Sequence, residues 1–187
     1  MREVEIKAWA ENPEGIKAHF DNLAGEGGEV HKMDRYFRRP GERIQAFRIR
    51  CFDGKVELTA KKTSSGPDGE NNEEYEFRAL PDQSDAATAF FHALGYEDFF
   101  IKKKDGYEWY CGRAHVELLS VNTLGWFIEI EILIPFDSDD DAVAAARNEI
   151  ISLLSDAGVG EEDYESRSYR DMILEKEGGI QSKSYTR

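Results

Sequence analysis

Two cysteines in 187 residues exclude a disulfide framework, which small secreted domains build from four or more. Cys51 and Cys111 fall in strand-like segments and show no metal-ligand spacing with each other or with His19, His31, His92 and His115. Buried free thiols are the favoured reading over a single disulfide. No apolar run approaches the roughly 20 residues of a spanning helix, and no basic-then-apolar leader opens the chain. A soluble, cytoplasmic protein with no membrane partner is expected. Positive charge is scarce too, with 24 Lys and Arg against 38 Asp and Glu and a formal charge of −14. Duplex binding depends on Lys and Arg neutralising phosphates, so nucleic acid is not an expected partner. Two loop signatures also fail. Gly25-Glu26-Gly27-Gly28 has Val30 where a GxGxxG loop needs glycine, and it follows a helix instead of a strand, so it reads as a helix stop. Asp137-Ser138-Asp139-Asp140-Asp141 has Ala142 where a calcium loop needs glycine, and reads as a helix start.

What the chain does contain is apolar material for a core, 40% of its residues, enough for one domain. Its charges are unevenly spread: ten Lys or Arg against four acids between His31 and Lys62. A basic region inside an acidic molecule suits a small, highly charged anion better than a polymer. Glu3-Val4-Glu5-Ile6-Lys7 alternates charged and aliphatic residues, and Ile128-Glu129-Ile130-Glu131-Ile132 repeats the pattern. In an extended strand alternate side chains share a face, so Glu3, Glu5 and Lys7 point one way and Val4 and Ile6 the other. Arg48 with Arg50, and then Lys61, carry the opposite sign at the same spacing. A wet sheet face also alternates in this way. Strands of a single sign are less expected there, because like charges directly opposite one another are destabilising.

Helices are expected from Asn12 to Gly25, from about Gln83 to Leu94 and from about Asp139 to Ala157, each ending at glycine. Strands are expected over 32–38, 44–52, 56–62, 73–79, 99–104, 107–111, 114–121 and 126–135, with Asp53-Gly54 as a hairpin and 64–72 as an exposed loop. This pattern predicts an α+β fold, a closed antiparallel β-barrel with a charged interior and about three covering helices. A single domain over 1–174 and a polar tail over 175–187 complete the layout. A charged interior is costly unless its groups are paired, hydrated or awaiting a ligand, so function is expected inside it. Trp9, Trp109 and Trp126 read as packing residues, and His115 as part of the barrel wall.

These residues resemble the CYTH, or triphosphate tunnel metalloenzyme, family, which includes class IV adenylyl cyclases and thiamine triphosphatases. Glu3, Glu5 and Lys7 match its ExExK, Asp34-Arg35-Tyr36-Phe37 its D-x-Y-F, Phe47-Arg48-Ile49-Arg50 its R-x-R and Leu58-Thr59-Ala60-Lys61 its L-T-x-K strand. Glu74-Tyr75-Glu76 is similar to the next E-x-E, residues 124–131 to the L-G-x-F-x-E-x-E element, and Ser168-Tyr169 to the closing segment of the cyclase branch. The chain departs from the pattern at Lys104, where the family has arginine, at Leu119, where many members have Asp, and at Asn72, where Arg is common. Lysine keeps the charge of arginine but not its planar fork.

The resemblance implies that Lys7, Arg48, Arg50, Lys61, Lys102 and Lys104 bind a triphosphate. It also implies that Glu3, Glu5, Glu129 and Glu131 coordinate Mg²⁺ or Mn²⁺, with Glu74, Glu76 and Glu117 as further candidates. Glu3, Glu5, Lys7 and Glu129 would be the catalytic set, and Asp34 and Tyr36 would brace the wall. Oxygen ligands suit such hard cations, which carboxylates and substrate phosphates commonly share. A class IV adenylyl cyclase-like enzyme making cyclic AMP and pyrophosphate from ATP is the expected function. Hydrolysis of thiamine triphosphate, inorganic triphosphate or a nucleotide is the alternative, followed by a non-catalytic polyphosphate-binding module. The protein is expected as a monomer or homodimer.

Overall fold

Period-two alternation becomes eight strands. The computed structural model describes residues 2–40, 46–52, 54–66 and 69–176, with the side chains at 46, 61–66 and 69–74 outside the description. The strands are Arg2–Trp9 (β1), Gly28–Arg38 (β2), Ala46–Phe52 (β3), Lys55–Gly66 (β4), Gly69–Ala79 (β5), Glu97–Cys111 (β6), Ala114–Val121 (β7) and Gly125–Ile134 (β8). The α-helices are Pro13–Ala24 (α1), Ser84–Ala93 (α2), Asp140–Asp156 (α3) and Tyr169–Lys176 (α4). Hydrogen bonding orders the strands β1-β8-β7-β6-β2-β3-β4-β5, antiparallel in each defined register. The α+β class is as expected. Closure of a barrel is not formed by hydrogen bonds, because no ladder joins β1 to β5 among the described residues. The chain divides into two compact units, Met1–Val30 with Lys104–Arg187, and His31–Lys103.

In the first unit, β1 pairs with β8, β8 with β7 and β7 with the second half of β6. Val4, Ile6, Ile128, Ile130, Ile132, Val116 and Leu118 lie on the face that packs under α1 and α3. Ile16 and Phe20 of α1 and Ala146, Ile150 and Leu154 of α3 complete that core. Each fully buried Ile, Leu or Phe contributes about 1.5–3 kcal/mol from removing apolar surface from water. Asn12 caps α1 by accepting from the Gly15 amide at 3.1 Å, Pro13 occupies the first turn and Gly25 ends the helix at φ +92°. The acids at 137–141 open α3, with the Asp139 carboxylate accepting from the Ala142 amide at 2.9 Å. On the opposite sheet face, Leu119, Val121 and Phe127 pack with Val30 and with Tyr169 and Met172 of α4. Leu119 is fully buried there, so apolar packing occupies the position where the family commonly has Asp.

In the second unit, β2, β3, β4 and β5 pair in sequence order. Phe37, Ile49, Val56 and Leu58 form one face and pack against Phe91 of α2. Cys51 and Cys111 are both free and half-buried, so a disulfide is not formed between them.

Three expectations are corrected. The segment 64–72 is not a loop over its length, because β4 continues to Gly66 and β5 begins at Gly69. Continuous pairing of the two backbones keeps them extended despite a turn-prone composition. The two strands expected at 99–104 and 107–111 are one strand running through Asp105-Gly106. A Cβ at Gly106 would lie 2.0 Å from the Leu118 carbonyl oxygen, so glycine here permits a close backbone approach instead of a turn. Gly106→Ala is expected to lower stability by about 1–3 kcal/mol, the usual cost of overpacking, read as a reduced midpoint in urea denaturation. Finally, a fourth helix, α4, forms where sequence motifs gave only a closing segment. The Asp53 half of the expected hairpin and the tail beyond residue 176 lie outside the described residues.

Candidate functional site

Register places the charged residues of the first unit in rows. Lys7 stands opposite Glu129, Glu129 opposite Glu117 and Glu117 opposite Glu108; one step along, Glu5 faces Glu131 and Glu131 faces His115. With Glu3 and Lys104, these residues share the sheet face away from α1 and α3. Four of the proposed metal ligands, Glu3, Glu5, Glu129 and Glu131, are thus brought together with Glu117. Glu76 lies in the second unit, and the Glu74 side chain is outside the described residues.

Crowding like charges has measurable consequences. Glu3 and Glu5 are reached by solvent, yet surrounding protein atoms remove part of their hydration. Burial first, and then Glu131 and Glu5, raise the Glu3 pKa to about 8. Burial and Glu129 raise that of Glu5. Burial also lowers the pKa of Lys7, against the opposing pull of Glu129. Opposed carboxylates of this kind fit a divalent cation, which would relieve the repulsion that now favours protonation.

Lys7 and Lys104, the lysines on this face, are held by partners outside the ExExK pattern. Lys104 is buried, with its Nζ 2.7 Å from Glu129. Lys7 donates to the Arg167 carbonyl. Both ammonium groups lie over the Tyr169 ring, at 4.4 and 4.5 Å from its centroid. Burial and the adjacent Glu129 push the Tyr169 hydroxyl pKa upward. Tyr169 thus contributes to the site, whereas its sequence motif gave it only a place in the family pattern.

The second unit gathers Arg48, Arg50 and Lys102, with signs mixed by pairing and not separated strand by strand. Asp34 is 1% exposed and accepts from Arg50 Nε at 2.7 Å and Nη2 at 2.9 Å. Lys102 Nζ lies 3.0 Å from the same carboxylate and donates to the Tyr36 hydroxyl at 3.2 Å. Burial alone would raise the pKa of Asp34, but Arg50 and Lys102 hold it far below the ordinary range. Arg48 donates to Thr59 Oγ1 at 2.9 Å, with Glu76 at 3.4 Å and Glu57 at 3.8 Å. Its buried Nε has no hydrogen-bond partner among the described residues. The Lys61 side chain lies outside them. Asp34 is an ion-pair partner rather than only a brace, because the register sets it across from Arg50.

His115 is not merely part of a wall. Its Nε2 is 2.8 Å from Glu108 Oε2 and its Nδ1 3.2 Å from Glu131 Oε1. Burial would lower its pKa, but these two carboxylates raise it. Among the described residues, Glu108, His115 and Glu117 form the group of potential metal ligands whose donor atoms all lie within 4.8 Å of one another. Glu108 was missed from sequence, although pairing across the Gly112 hairpin sets it opposite Glu117. Trp109 packs in the core as expected, donating to Asp21 at 3.1 Å.

A pH dependence follows for the metal-free protein. The folded state holds the Glu3 proton more tightly than the unfolded chain, whose ordinary value is 4.5. That contribution is full below about pH 4.5 and is lost as pH rises through about 8. His115, raised by its carboxylates, acts in the same sense. In chelator, Tm is expected to fall between pH 5 and 8, and Mg²⁺ to restore more of it at pH 8. Equal Tm values across that range, with no greater gain from Mg²⁺ at pH 8, would contradict this reading.

Comparison with known proteins concerns the family and the fold. No curated protein matches the sequence. Among solved structures, the PH1819 protein of Pyrococcus horikoshii is 25% identical with a TM-score of 0.72, the match covering 94% of this chain and 99% of that one. A candidate adenylate cyclase of Vibrio parahaemolyticus is 22% identical with a TM-score of 0.71 (91% and 97% covered). A candidate adenylyl cyclase of Hippeastrum with a dominant triphosphatase activity is 15% identical with a TM-score of 0.62 (96% and 97% covered). These last two likenesses concern the fold. No helix among the described residues is long and apolar enough to cross a membrane. The model of the CYTH domain matches residues 1–169, and with that match over most of its length the chain belongs to the CYTH family.

Proposed function

We propose that the protein is a divalent-metal-dependent enzyme acting on a triphosphate, with ATP cyclisation to cyclic AMP and pyrophosphate as its reaction. The carrying observation is that Glu3, Glu5, Glu117, Glu129 and Glu131 share one sheet face with Lys7 and Lys104. Glu3, Glu5, Glu129 and Glu131 would hold Mg²⁺ or Mn²⁺, which when bound neutralises phosphate charge and acidifies the ribose 3′-hydroxyl. Lys7 and Lys104, with Arg48, Arg50, Lys61 and Lys102, are assigned to the phosphates. Arg48 Nε, buried and without an acceptor among the described residues, supports that assignment, since such a donor is costly until an anion supplies an acceptor.

In the reaction the 3′-oxygen attacks the α-phosphorus, the bond from that phosphorus to the oxygen bridging the β-phosphoryl breaks, and pyrophosphate leaves while the hydroxyl proton passes to water. Little covalent work falls to the protein, so positioning and charge neutralisation by Lys and Arg carry the catalysis. Hydrolysis at the terminal phosphoryl is the second reading, favoured by the triphosphatase activity of the Hippeastrum protein of like fold. The same residues would serve both reactions.

Incubation with Mg²⁺ or Mn²⁺ and ATP, inorganic triphosphate or thiamine triphosphate, followed by product identification, tests the proposal. Cyclic AMP with pyrophosphate is the expected result, and free phosphate supports the second reading. Binding without turnover on every substrate would overturn both and leave a polyphosphate-binding module.

A further inference from the structure

Glu108 and His115 have no part in the reaction above, yet they are built into the same strand face. His115 on β7 stands between Tyr110 on β6 and Glu131 on β8; Glu117 lies two residues further along β7, and Glu108, its partner on β6, reaches His115 Nε2 with its carboxylate. Tyr110 stacks on the imidazole with centroids 4.7 Å apart and planes 15° from parallel, which fixes the ring plane. Nδ1 meets Glu131 Oε1 at 3.2 Å and Nε2 meets Glu108 Oε2 at 2.8 Å, so each ring nitrogen faces a carboxylate. With Nδ1–H donating to Glu131, loss of the Nε2 proton would turn the Nε2 lone pair to the side occupied by Glu108. An imidazole oriented through its other nitrogen by a carboxylate is the usual arrangement of a metal-bound histidine.

We propose that Glu108 and His115, with Glu117 at the border of the all-carboxylate set, form a second cation site selective for a first-row divalent ion such as Mn²⁺, Co²⁺ or Zn²⁺ over Mg²⁺. Ligand atoms about 2.0–2.2 Å from a shared ion stand roughly 3 Å from each other. One donor atom from each of the three residues already lies within 4.8 Å of the others, with Nε2 and Glu108 Oε2 at 2.8 Å. The ion enters with small side-chain movements and takes the place of a proton between His115 and Glu108. Imidazole nitrogen suits Mn²⁺, Co²⁺ and Zn²⁺ better than Mg²⁺, which prefers oxygen and keeps its waters. Three protein ligands leave coordination positions open, as in sites that bind an exchangeable ligand.

The test needs no triphosphate and no turnover, so it stands apart from the proposed reaction. Full-length protein is held in excess Mg²⁺ and titrated with Co²⁺, followed by visible absorption, and with Mn²⁺, followed by pulsed EPR for coupling to an imidazole nitrogen. Wild type is expected to bind one Co²⁺ and to show the nitrogen coupling. His115→Gln is expected to abolish the coupling and weaken Co²⁺ binding by about 100-fold, and Glu108→Gln to weaken it by about 10–100-fold. Glu5→Gln is expected to keep both signals. The wild-type coupling decides the matter if a variant fails to fold. Absence of nitrogen coupling in wild type, or Co²⁺ binding undiminished in a folded His115→Gln, would overturn the proposal and leave His115 as an imidazolium bridging two glutamates.

Discussion

Asp34→Ala is expected to destabilise the protein by about 3–5 kcal/mol, the cost of leaving buried charge without its counter-charge. Asp34 is 1% exposed and receives two parallel hydrogen bonds from Arg50, at 2.7 and 2.9 Å. Lys102, itself 7% exposed, lies 3.0 Å from the same carboxylate. Removing the carboxylate strands two cations in a poorly hydrated place. Tyr36, which accepts from Lys102, is itself packed, stacking on Phe100 at 4.3 Å with planes 5° apart. Urea denaturation at neutral pH should show the midpoint falling with the slope unchanged. A loss below about 1 kcal/mol would mean that the cluster is hydrated and behaves as a surface ion pair. Linkage supplies a second reading. Because Arg50 and Lys102 lower the Asp34 pKa, its contribution is present above the ordinary carboxylate range and disappears as pH falls through the lowered folded value. Stability lost by wild type in strong acid should therefore be smaller in the variant.

That cluster also marks the limit of what alternation reveals. The period of two identifies which residues share a face within a strand, and it placed Glu3, Glu5 and Lys7 away from Val4 and Ile6 as the structure has them. Register between strands is a different kind of information. Asp34 meets Arg50, and Glu108 meets Glu117, only because turn lengths set the pairing. The short turn between β6 and β7 sets the second pairing, while the partners of His115 stand on neighbouring strands and leave no mark in its own segment. Asp105-Gly106 has turn composition but lies within β6, since the opposing Leu118 carbonyl comes too close to admit a side chain. Closure of the sheet was least legible. It depends on whether β1 and β5 meet, and no local pattern in either strand encodes that meeting. The helices fared better, with expected ends within a residue or two of α1, α2 and α3, because caps and terminal glycines are local.

Glu5→Gln is expected to change stability and turnover in opposite directions. Glu5 stands directly across from Glu131 on β8, and Glu129 adds repulsion that helps raise its pKa. Like charges set opposite one another destabilise a sheet, so replacing this carboxylate with a neutral amide of the same shape should raise the Tm of the metal-free protein. The same replacement removes a proposed cation ligand, and turnover of a triphosphate should fall by about 10²–10³-fold, the usual loss when one preorganised electrostatic group is deleted. Added Mg²⁺ should stabilise wild type more than the variant, because ion binding to the folded state alone raises stability in proportion to affinity. The three measurements separate a binding site from a packing position. A residue that only packs would lose stability on substitution and leave the response to Mg²⁺ unchanged, whereas a ligand held against its neighbours' repulsion should gain stability and lose that response. Full turnover in Glu5→Gln, with a wild-type response to Mg²⁺, would remove Glu5 from the metal site. It would also leave the carboxylate face of the first unit without its assigned role in the reaction.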